Sequence, residues 1–333
     1  MSPKELTALL VWAFKHNHKI LIEGPPGIGK TDIVKQAADQ AGFNLVVSHP
    51  AVDDPTDWKG LPFANREAKE ATFLPFGIMN ELIHTDSPTV CFFDDLGQAP
   101  TSVQAALMQP LGNGWLNGHR ISNKVVFVAA TNGRAHKAGV GGLLEPVKSR
   151  FDTIVTLETS VDGWIDWALK NNMPSELIAY MHWKGGEALH KFEPTKELTN
   201  SPCPRTWAKI GNMINNSLPV GEDEVFRGAV GKAFGTEFAS FLKVYRDLPR
   251  IEDIISKPMK AYIPQKPDVL AALAGALATK MNHDNIDNIV TYINRLPGEI
   301  GASCMSLAIK RDVTLSETSG FIKYADKNKD LFL

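Results

Sequence analysis

Lys30 and Thr31 close the run GPPGIGKT, which fits the pattern G-x-x-x-x-G-K-[ST]. The chemistry such a run can do is to wrap an anionic triphosphate with backbone N–H groups. Gly24, Gly27 and Gly29 supply the conformations and close approach that a side chain would block. On this reading the whole loop, Gly24, Pro25, Pro26, Gly27, Ile28, Gly29, Lys30 and Thr31, contacts ATP. Lys30, a phosphate-directed cation on a solvent-facing loop, reaches the β- and γ-phosphates, and the Thr31 hydroxyl ligates Mg²⁺. Downstream, the apolar run TVCFF ends in Asp94 and Asp95. A first acid emerging beside the loop would orient Mg²⁺ and its waters, and a second would polarise the attacking water. Asn132, at the end of VVFVAAT, can both donate and accept, which suits a group bridging the γ-phosphate and that water.

These residues need elements that aim them at one point. KILIE before the loop reads as a strand, and TDIVKQAADQA after it continues at helical spacing, its positive end toward the phosphates. FNLVVSH reads as a buried strand, and residues 50–76, rich in Pro, Asp and Gly, as a long irregular stretch. A helix over residues 77–84 precedes TVCFF, and Pro100 opens another through Leu111. LGNGWLNGHRISN suggests a small hairpin. VVFVAATN is a third buried strand, followed by a glycine-rich loop, a short helix ending KSR, and FDTIVTLE. Five strands alternating with helices predict an α/β P-loop NTPase fold, a parallel five-stranded sheet with helices on both faces. In that architecture ligands sit at the carboxyl ends of the strands, where these polar residues fall. From Thr159 the pattern turns helical. The expected organisation is a nucleotide-binding domain over 1–158, an α-helical lid over 159–218 and a mostly helical C-terminal extension over 219–333.

Length and composition set the outer bounds. The chain has 333 residues, 44% hydrophobic and 22% charged, so a folded globular protein is expected rather than disorder. A net charge of −2 removes any global basic field that would advertise nucleic acid or an anionic membrane. Cys91, Cys203 and Cys304 are far apart and form no C-x-x-C or Cys/His cluster, which suits reduced thiols in the cytoplasm. His49, His84, His119 and His136 lack metal-ligand spacing and read as structural or solvent-facing. The N-terminal segment reads as an amphipathic helix capped by Ser2 rather than a signal peptide. The alanine/leucine-rich run over 269–279 falls short of the ~20 residues a membrane span needs.

GPPGIGKT, CFFDDLGQAPTSVQAALMQPL, GWLNGHRIS, VVFVAATN and LLEPVKSRFD follow one another in the order and spacing of the MoxR family of AAA+ ATPases, which the chain resembles over residues 21–218. The resemblance implies Lys30 and Thr31 as phosphate-loop contacts, Asp94 as the Mg²⁺-orienting acid and Asn132 as the first sensor. It further implies Arg150, in K-S-R-F, as an arginine finger reaching a neighbouring subunit's site, and Arg205, in P-C-P-R-T-W, as a second sensor. On the residues alone, Arg150 also reads as a helix-terminal cation and Arg205 as a surface residue. The implied activity is ATP hydrolysis by a homo-oligomeric ring, a hexamer, that remodels or activates a protein partner, commonly one bearing a von Willebrand factor A domain. One departure stands out: Asp95 replaces the family's usual Glu, so the base is one methylene shorter. That departure leaves open a nucleotide-gated scaffold with slow turnover, and a nucleic-acid motor, which shares the family's insertions, is a second alternative with Lys59, Arg66, Lys69 and Arg120 as its candidate cations. Trp58, Lys59 and Phe63 fall in the stretch matching the family's helix-2 insertion, and residues 115–120 in its pre-sensor hairpin. Trp58 reads equally as a gripping aromatic or as packing against its own loop.

Overall fold

The computed structural model describes residues 1–65, 67, 69–133, 142–192, 199–219 and 221–331. Arg66, His136 and most of the glycine-rich loop after Asn132 lie outside the described residues. The chain divides into two units, Met1–Thr159 and Ser160–Leu333.

In the first unit, α1 (Pro3–Lys15) leads into β1 (Ile20–Glu23), α2 (Lys30–Ala41) and β2 (Asn44–Ser48). An antiparallel pair, β3 (Leu61–Asn65) and β4 (Glu70–Leu74), precedes α3 (Gly77–His84), β5 (Thr89–Phe93) and α4 (Thr101–Asn113). A second short pair, β6 (Trp115–Leu116) and β7 (His119–Arg120), is followed by β8 (Val125–Thr131), α5 (Glu145–Lys148) and β9 (Thr153–Thr156). The main sheet is parallel, in the order β2-β5-β8-β1-β9. Ser2 caps α1 through a capping box with Glu5, as expected.

Strand alternation sorts the core into two layers. Ile20, Ile22, Val90, Phe92, Val126, Val128 and Ala130 face α1 and α2, meeting Leu6, Leu10, Phe14, Val34 and Ala37. Leu21, Cys91, Phe93, Phe127 and Ala129 face the other way, onto Met79, Leu82, Val103, Leu107, Leu111 and Val147. Both faces of β5 and β8 are therefore buried, and their sequences are continuous apolar runs.

Two expectations are corrected. FNLVVSH is not a fully buried strand: β2 lies at the sheet's edge, pairs with β5 alone, and leaves Leu45 and Val47 half-buried. Residues 50–76 are not irregular throughout. They hold a 3-10 turn over Pro55–Trp58, capped by Asp54, and then the β3-β4 hairpin, whose β4 is exposed along its whole length. With both faces in solvent, no apolar alternation marks it as sheet, and Pro62 is tolerated because a two-stranded ribbon has only edge strands.

The second unit is helical: α6 (Val161–Lys170), α7 (Ser175–Lys184), α8 (Gly186–Leu189), α9 (Pro204–Asn215), α10 (Glu222–Val230), α11 (Lys232–Arg246), α12 (Ile251–Ser256), α13 (Pro267–Lys280), α14 (Ile286–Ile293), α15 (Gly298–Arg311) and α16 (Ser319–Lys327). One apolar core runs through it from Trp164 to Tyr324, so the helices before and after residue 219 share their packing. Tyr180 sits at its aromatic centre, against Trp207, Phe238 and Phe241. The alanine-rich α13 belongs to this core. Gly275 lies so near α7 that a Cβ there would stand 2.2 Å from the Ala179 methyl. Among the described residues no helix is long and apolar enough to cross a membrane.

Candidate functional site

The site is built on the carboxyl ends of β1, β5 and β8, adjacent strands in the central sheet except that β8 separates β1 from β5. The loop leaves β1 at Gly24, whose amide donates to Thr131 O at the end of β8 (3.2 Å). A Cβ on Gly24 would come within 2.7 Å of Ile28 Cδ1 and 3.1 Å of Leu157 O, so the loop is folded too tightly for any side chain there. Gly27 and Gly29 have φ of 78° and 93°, the left-handed region that glycine enters without strain. Gly29 caps α2 in that conformation, which turns the first amides of α2 toward the space inside the loop.

The loop differs from its sequence reading as solvent-facing: its residues are buried or half-buried, and Lys30 is only 7% exposed. Its ammonium donates to Gly24 O (2.8 Å), Pro25 O (2.9 Å) and Asn132 Oδ1 (2.7 Å), binding the loop to itself and to the tip of β8. Thr31 Oγ1 donates to Asp94 Oδ2 (2.7 Å). Asp95 N donates to Asp94 Oδ1 (3.0 Å), and Asn132 Nδ2 donates to Asp95 Oδ1 (3.0 Å). An ammonium can only donate and a carboxylate only accept, so these two partners fix which way the Asn132 amide points. Four hydrogen bonds thus run from Thr31 through Asp94, Asp95 and Asn132 to Lys30, and the circuit is closed by the chain itself, since Lys30 and Thr31 are sequence neighbours. The structure brings together every sequence-predicted residue of the loop, both acids and the asparagine.

Asp95 has φ 54° and ψ 36°, left-handed backbone for a residue with a side chain. Aspartate and asparagine enter that region more readily than glutamate, because a short polar side chain can bond locally. The departure from the family's usual Glu therefore has a backbone correlate.

Arg150 makes its hydrogen bonds outside this circuit. Arg150 Nε donates to Met108 O (2.7 Å) in α4, and Nη1 donates to Pro146 O in α5. It is a helix-terminal cation in this sense, gathered with Lys19, which donates to Leu111 O, at the carbonyl end of α4. Arg205 belongs to the other unit, exposed on the first turn of α9 while Trp207 of the same helix is buried.

Three residues that sequence reasoning passed over support the site. Ser48 ends β2 and accepts the Asp94 amide on its carbonyl (2.9 Å). Asp53 accepts both Ser48 Oγ (2.8 Å) and Trp58 Nε1 (2.9 Å). Trp58 is 2% exposed and packs edge-on against Phe93, the neighbour of Asp94, at 5.2 Å. It packs into its own loop, and the exposed gripping aromatic is excluded for Trp58. Gln104, buried on α4, donates to Ala99 O and Gly142 O and accepts Leu144 N, which anchors the segment leading to α5. A polar residue on the inward face of a helix was the available signal. Phe63, Leu61, Leu74, Phe73 and Trp115 are the exposed apolar residues of the two hairpins. The hairpins are tied together: Asn117 Nδ2 donates to Lys59 O (2.7 Å) and His119 Nε2 to Phe73 O (2.8 Å).

The donor set suits a nucleotide with a divalent cation. Gly27 and Gly29 give the loop its left-handed turns, Gly29 opens α2 at the end whose first amides lack partners within the helix, and a hydroxyl and a carboxylate stand 2.7 Å apart as hard oxygen ligands. Among the described residues no cluster of three or more His, Cys, Asp and Glu side chains is placed to hold a metal by itself.

No curated protein matches the chain. Solved structures of similar shape include a RuvB Holliday junction branch migration motor from Thermotoga maritima, 16% identical over 98% of this chain and 86% of that one, TM-score 0.37. Another is NtrX from Brucella abortus in complex with ADP, 13% identical over 99% of this chain and 68% of that one, TM-score 0.43. Likenesses this distant bear on neither activity nor partner. Residues 20–159, from the first residue of β1 to just past β9, match the profile described as ATPase family associated with various cellular activities (AAA). That span holds the loop, both acids, Asn132 and Arg150, and residues 20–159 are an AAA ATPase family domain.

Proposed function

We propose that the chain is a MoxR-like, ATP-hydrolysing ring motor that remodels or activates a protein partner. The observation that carries the reading is the closed circuit from Thr31 through Asp94, Asp95 and Asn132 to Lys30. In the proposed reaction the amides of the loop and the first turn of α2 bind the phosphates, and Lys30 adds its charge to them. Thr31 and Asp94 would hold Mg²⁺, which when bound neutralises phosphate charge. Asp95 accepts the proton of the attacking water, with Asn132 holding that carboxylate in place through Nδ2.

The ring follows from Arg150. Its guanidinium bonds to Met108 and Pro146 rather than to any member of the circuit, so in this reading it serves a neighbouring copy's site. Arg205 acts as the second sensor. The exposed Phe63 and Trp115 on coupled hairpins supply an apolar surface suited to a polypeptide, for which a protein with a von Willebrand factor A domain is the candidate.

Subunit mixing tests the assignment. Arg150→Ala subunits keep a complete site but donate no finger, whereas Asp95→Asn subunits donate a finger but cannot hydrolyse. Each alone should be inactive, and a co-assembled mixture should regain turnover at its mixed interfaces. A mixture as inactive as both parents, with co-assembly demonstrated, refutes the trans-acting arginine.

A further inference from the structure

Gly112 occupies the penultimate position of α4, is exposed to solvent, and has ordinary helical backbone. Glycine is a poor choice at such a position: it weakens the helix relative to alanine, and no turn requires it. The left-handed cap of α4 is made two residues later by Gly114, at φ 71°. What stands over Gly112 is Arg150. A Cβ at residue 112 would lie 3.1 Å from Arg150 Nε, 3.8 Å from Nη2 and 3.9 Å from Cδ, so its three nearest neighbours outside its own helix backbone all belong to Arg150.

The same guanidinium is fixed on its other side. Nε donates to Met108 O, one helical turn before Gly112, and Nη1 donates to Pro146 O. Nη2 makes no hydrogen bond among the described residues, so one terminal nitrogen of the fork is held and the other is presented. A guanidinium has no internal torsion to relieve a clash, so a Cβ at 112 displaces the plane by a few tenths of an ångström and a larger side chain displaces it further, straining the bond to Met108.

We infer that Gly112 is a positioning residue for the ATPase reaction: by leaving space on α4 it lets Arg150 lie flat, held through Nε and Nη1, with Nη2 offered to a phosphate bound by the adjoining copy. The inference rests on the reading of Arg150 as a trans-acting finger. Arg150 is therefore set before assembly rather than ordered by it. A misplacement of about 1 Å in such a group can cost ~10²-fold in rate.

The test is a graded pair, Gly112→Ala and Gly112→Leu, in the full chain. Alanine is the better helix former, so a residue with only a structural role predicts an equal or higher melting temperature and unchanged turnover. The cradle predicts an equal or higher melting temperature with turnover reduced by about 10-fold for alanine and nearer ~10²-fold for leucine. KM for ATP and nucleotide affinity of the isolated chain should stay at wild-type values. In an Arg150→Ala background Gly112→Ala should cause no further loss, and Gly112→Ala subunits mixed with Asp95→Asn subunits should recover turnover. If Arg150→Ala alone leaves turnover unchanged, the finger itself is wrong. If Arg150→Ala abolishes turnover but Gly112→Ala and Gly112→Leu do not reduce it, the finger stands and the cradle is refuted. Gly112→Ala carries the test should the leucine variant fold poorly.

Discussion

Replacing Lys30 by methionine in the nucleotide-free chain tests whether the phosphate loop is held together by its own lysine. Methionine keeps most of the stem's volume but donates nothing, so Lys30→Met strands Gly24 O, Pro25 O and Asn132 Oδ1. An acceptor left buried without a donor costs roughly 1–3 kcal/mol. Pro25 is half-buried and water can replace the lysine there, so Gly24 O and Asn132 Oδ1 set the cost, about 2–6 kcal/mol for the pair. Against this stands the relief of no longer desolvating an ammonium, which leaves a net loss of about 2 kcal/mol. For a unit of this size each kcal/mol moves Tm by roughly 2–4 °C, so the first unit should melt about 4–8 °C lower. The assay is calorimetry of the wild type and Lys30→Met without nucleotide, repeated with ATP and Mg²⁺. Wild type should be stabilised by ligand, and the variant should start lower and gain little. A variant that melts at the wild-type temperature without nucleotide would show that the loop's shape owes nothing to these three bonds.

Asp95 separates charge from backbone. Asp95→Asn should preserve the left-handed turn and nucleotide affinity while turnover falls ~10²-fold or more, and Asp95→Glu should cost about 1 kcal/mol of stability in a denaturant titration. A glutamate variant as stable as wild type would remove the backbone explanation for aspartate. Trp58→Ala should cost about 3–5 kcal/mol by urea midpoint, since the indole is buried against Phe93, and Trp58→Phe only about 1–2 kcal/mol through the lost bond to Asp53. An alanine variant within 0.5 kcal/mol of wild type, the scale of an ordinary surface change, contradicts this packing role. Burial pushes the Cys304 thiol up to about 12, and the Cys91 thiol is raised further, so both stay protonated at neutral pH. A disulfide reagent should therefore label half-buried Cys203 first and reach the other two only in denaturant; three equally fast thiols would be the contrary result.

The parts of the site legible in the sequence share one property: local pattern determines them. An apolar run closed by Asp94 or Asn132 announces a buried strand with a polar tip, and GPPGIGKT announces a turn before a helix, whatever surrounds them. The β3-β4 hairpin was illegible because the signal for a strand is apolar alternation against a core, and it packs against none. The burial of Trp58 depends on an acceptor, Asp53, and a ring, Phe93, that only the tertiary fold brings to it. A Gly/Pro-rich loop reads as solvent-facing because loops usually are, yet Lys30 in it is buried. Its burial becomes affordable only through three acceptors, one of them far along the chain on β8. Arg150 could be read from sequence as a finger or as a helix-terminal cation. Its bonds to Met108 O and Pro146 O are those of a helix-terminal cation, and on the proposed reading the same bonds would hold a finger still.

Because the polar groups of the site satisfy one another, nucleotide binding is an exchange of bonds rather than an addition of them. Any phosphate that draws the Lys30 ammonium forward takes it from Asn132 Oδ1, and that oxygen is then free to accept from a water. The amide's other end still donates to Asp95, so the same motion places an acceptor for the water beside the carboxylate that would take its proton. On the proposed reading Thr31 would be coupled in the same way: Thr31 and Asp94 would hold the cation in place of their mutual bond, and Asp94 would keep the Asp95 amide on its other oxygen. Each move made by an entering phosphate or cation is thus transmitted to Asp95 through one hydrogen-bonded neighbour. Asp95, held in left-handed backbone between them, has little freedom to absorb the change except by reorienting its carboxylate. On the proposed reading, binding and the arming of the base are one rearrangement. Asn132→Ala should therefore lose turnover more than nucleotide affinity, because it deletes the shared link and leaves the loop amides and Lys30 to hold the phosphates.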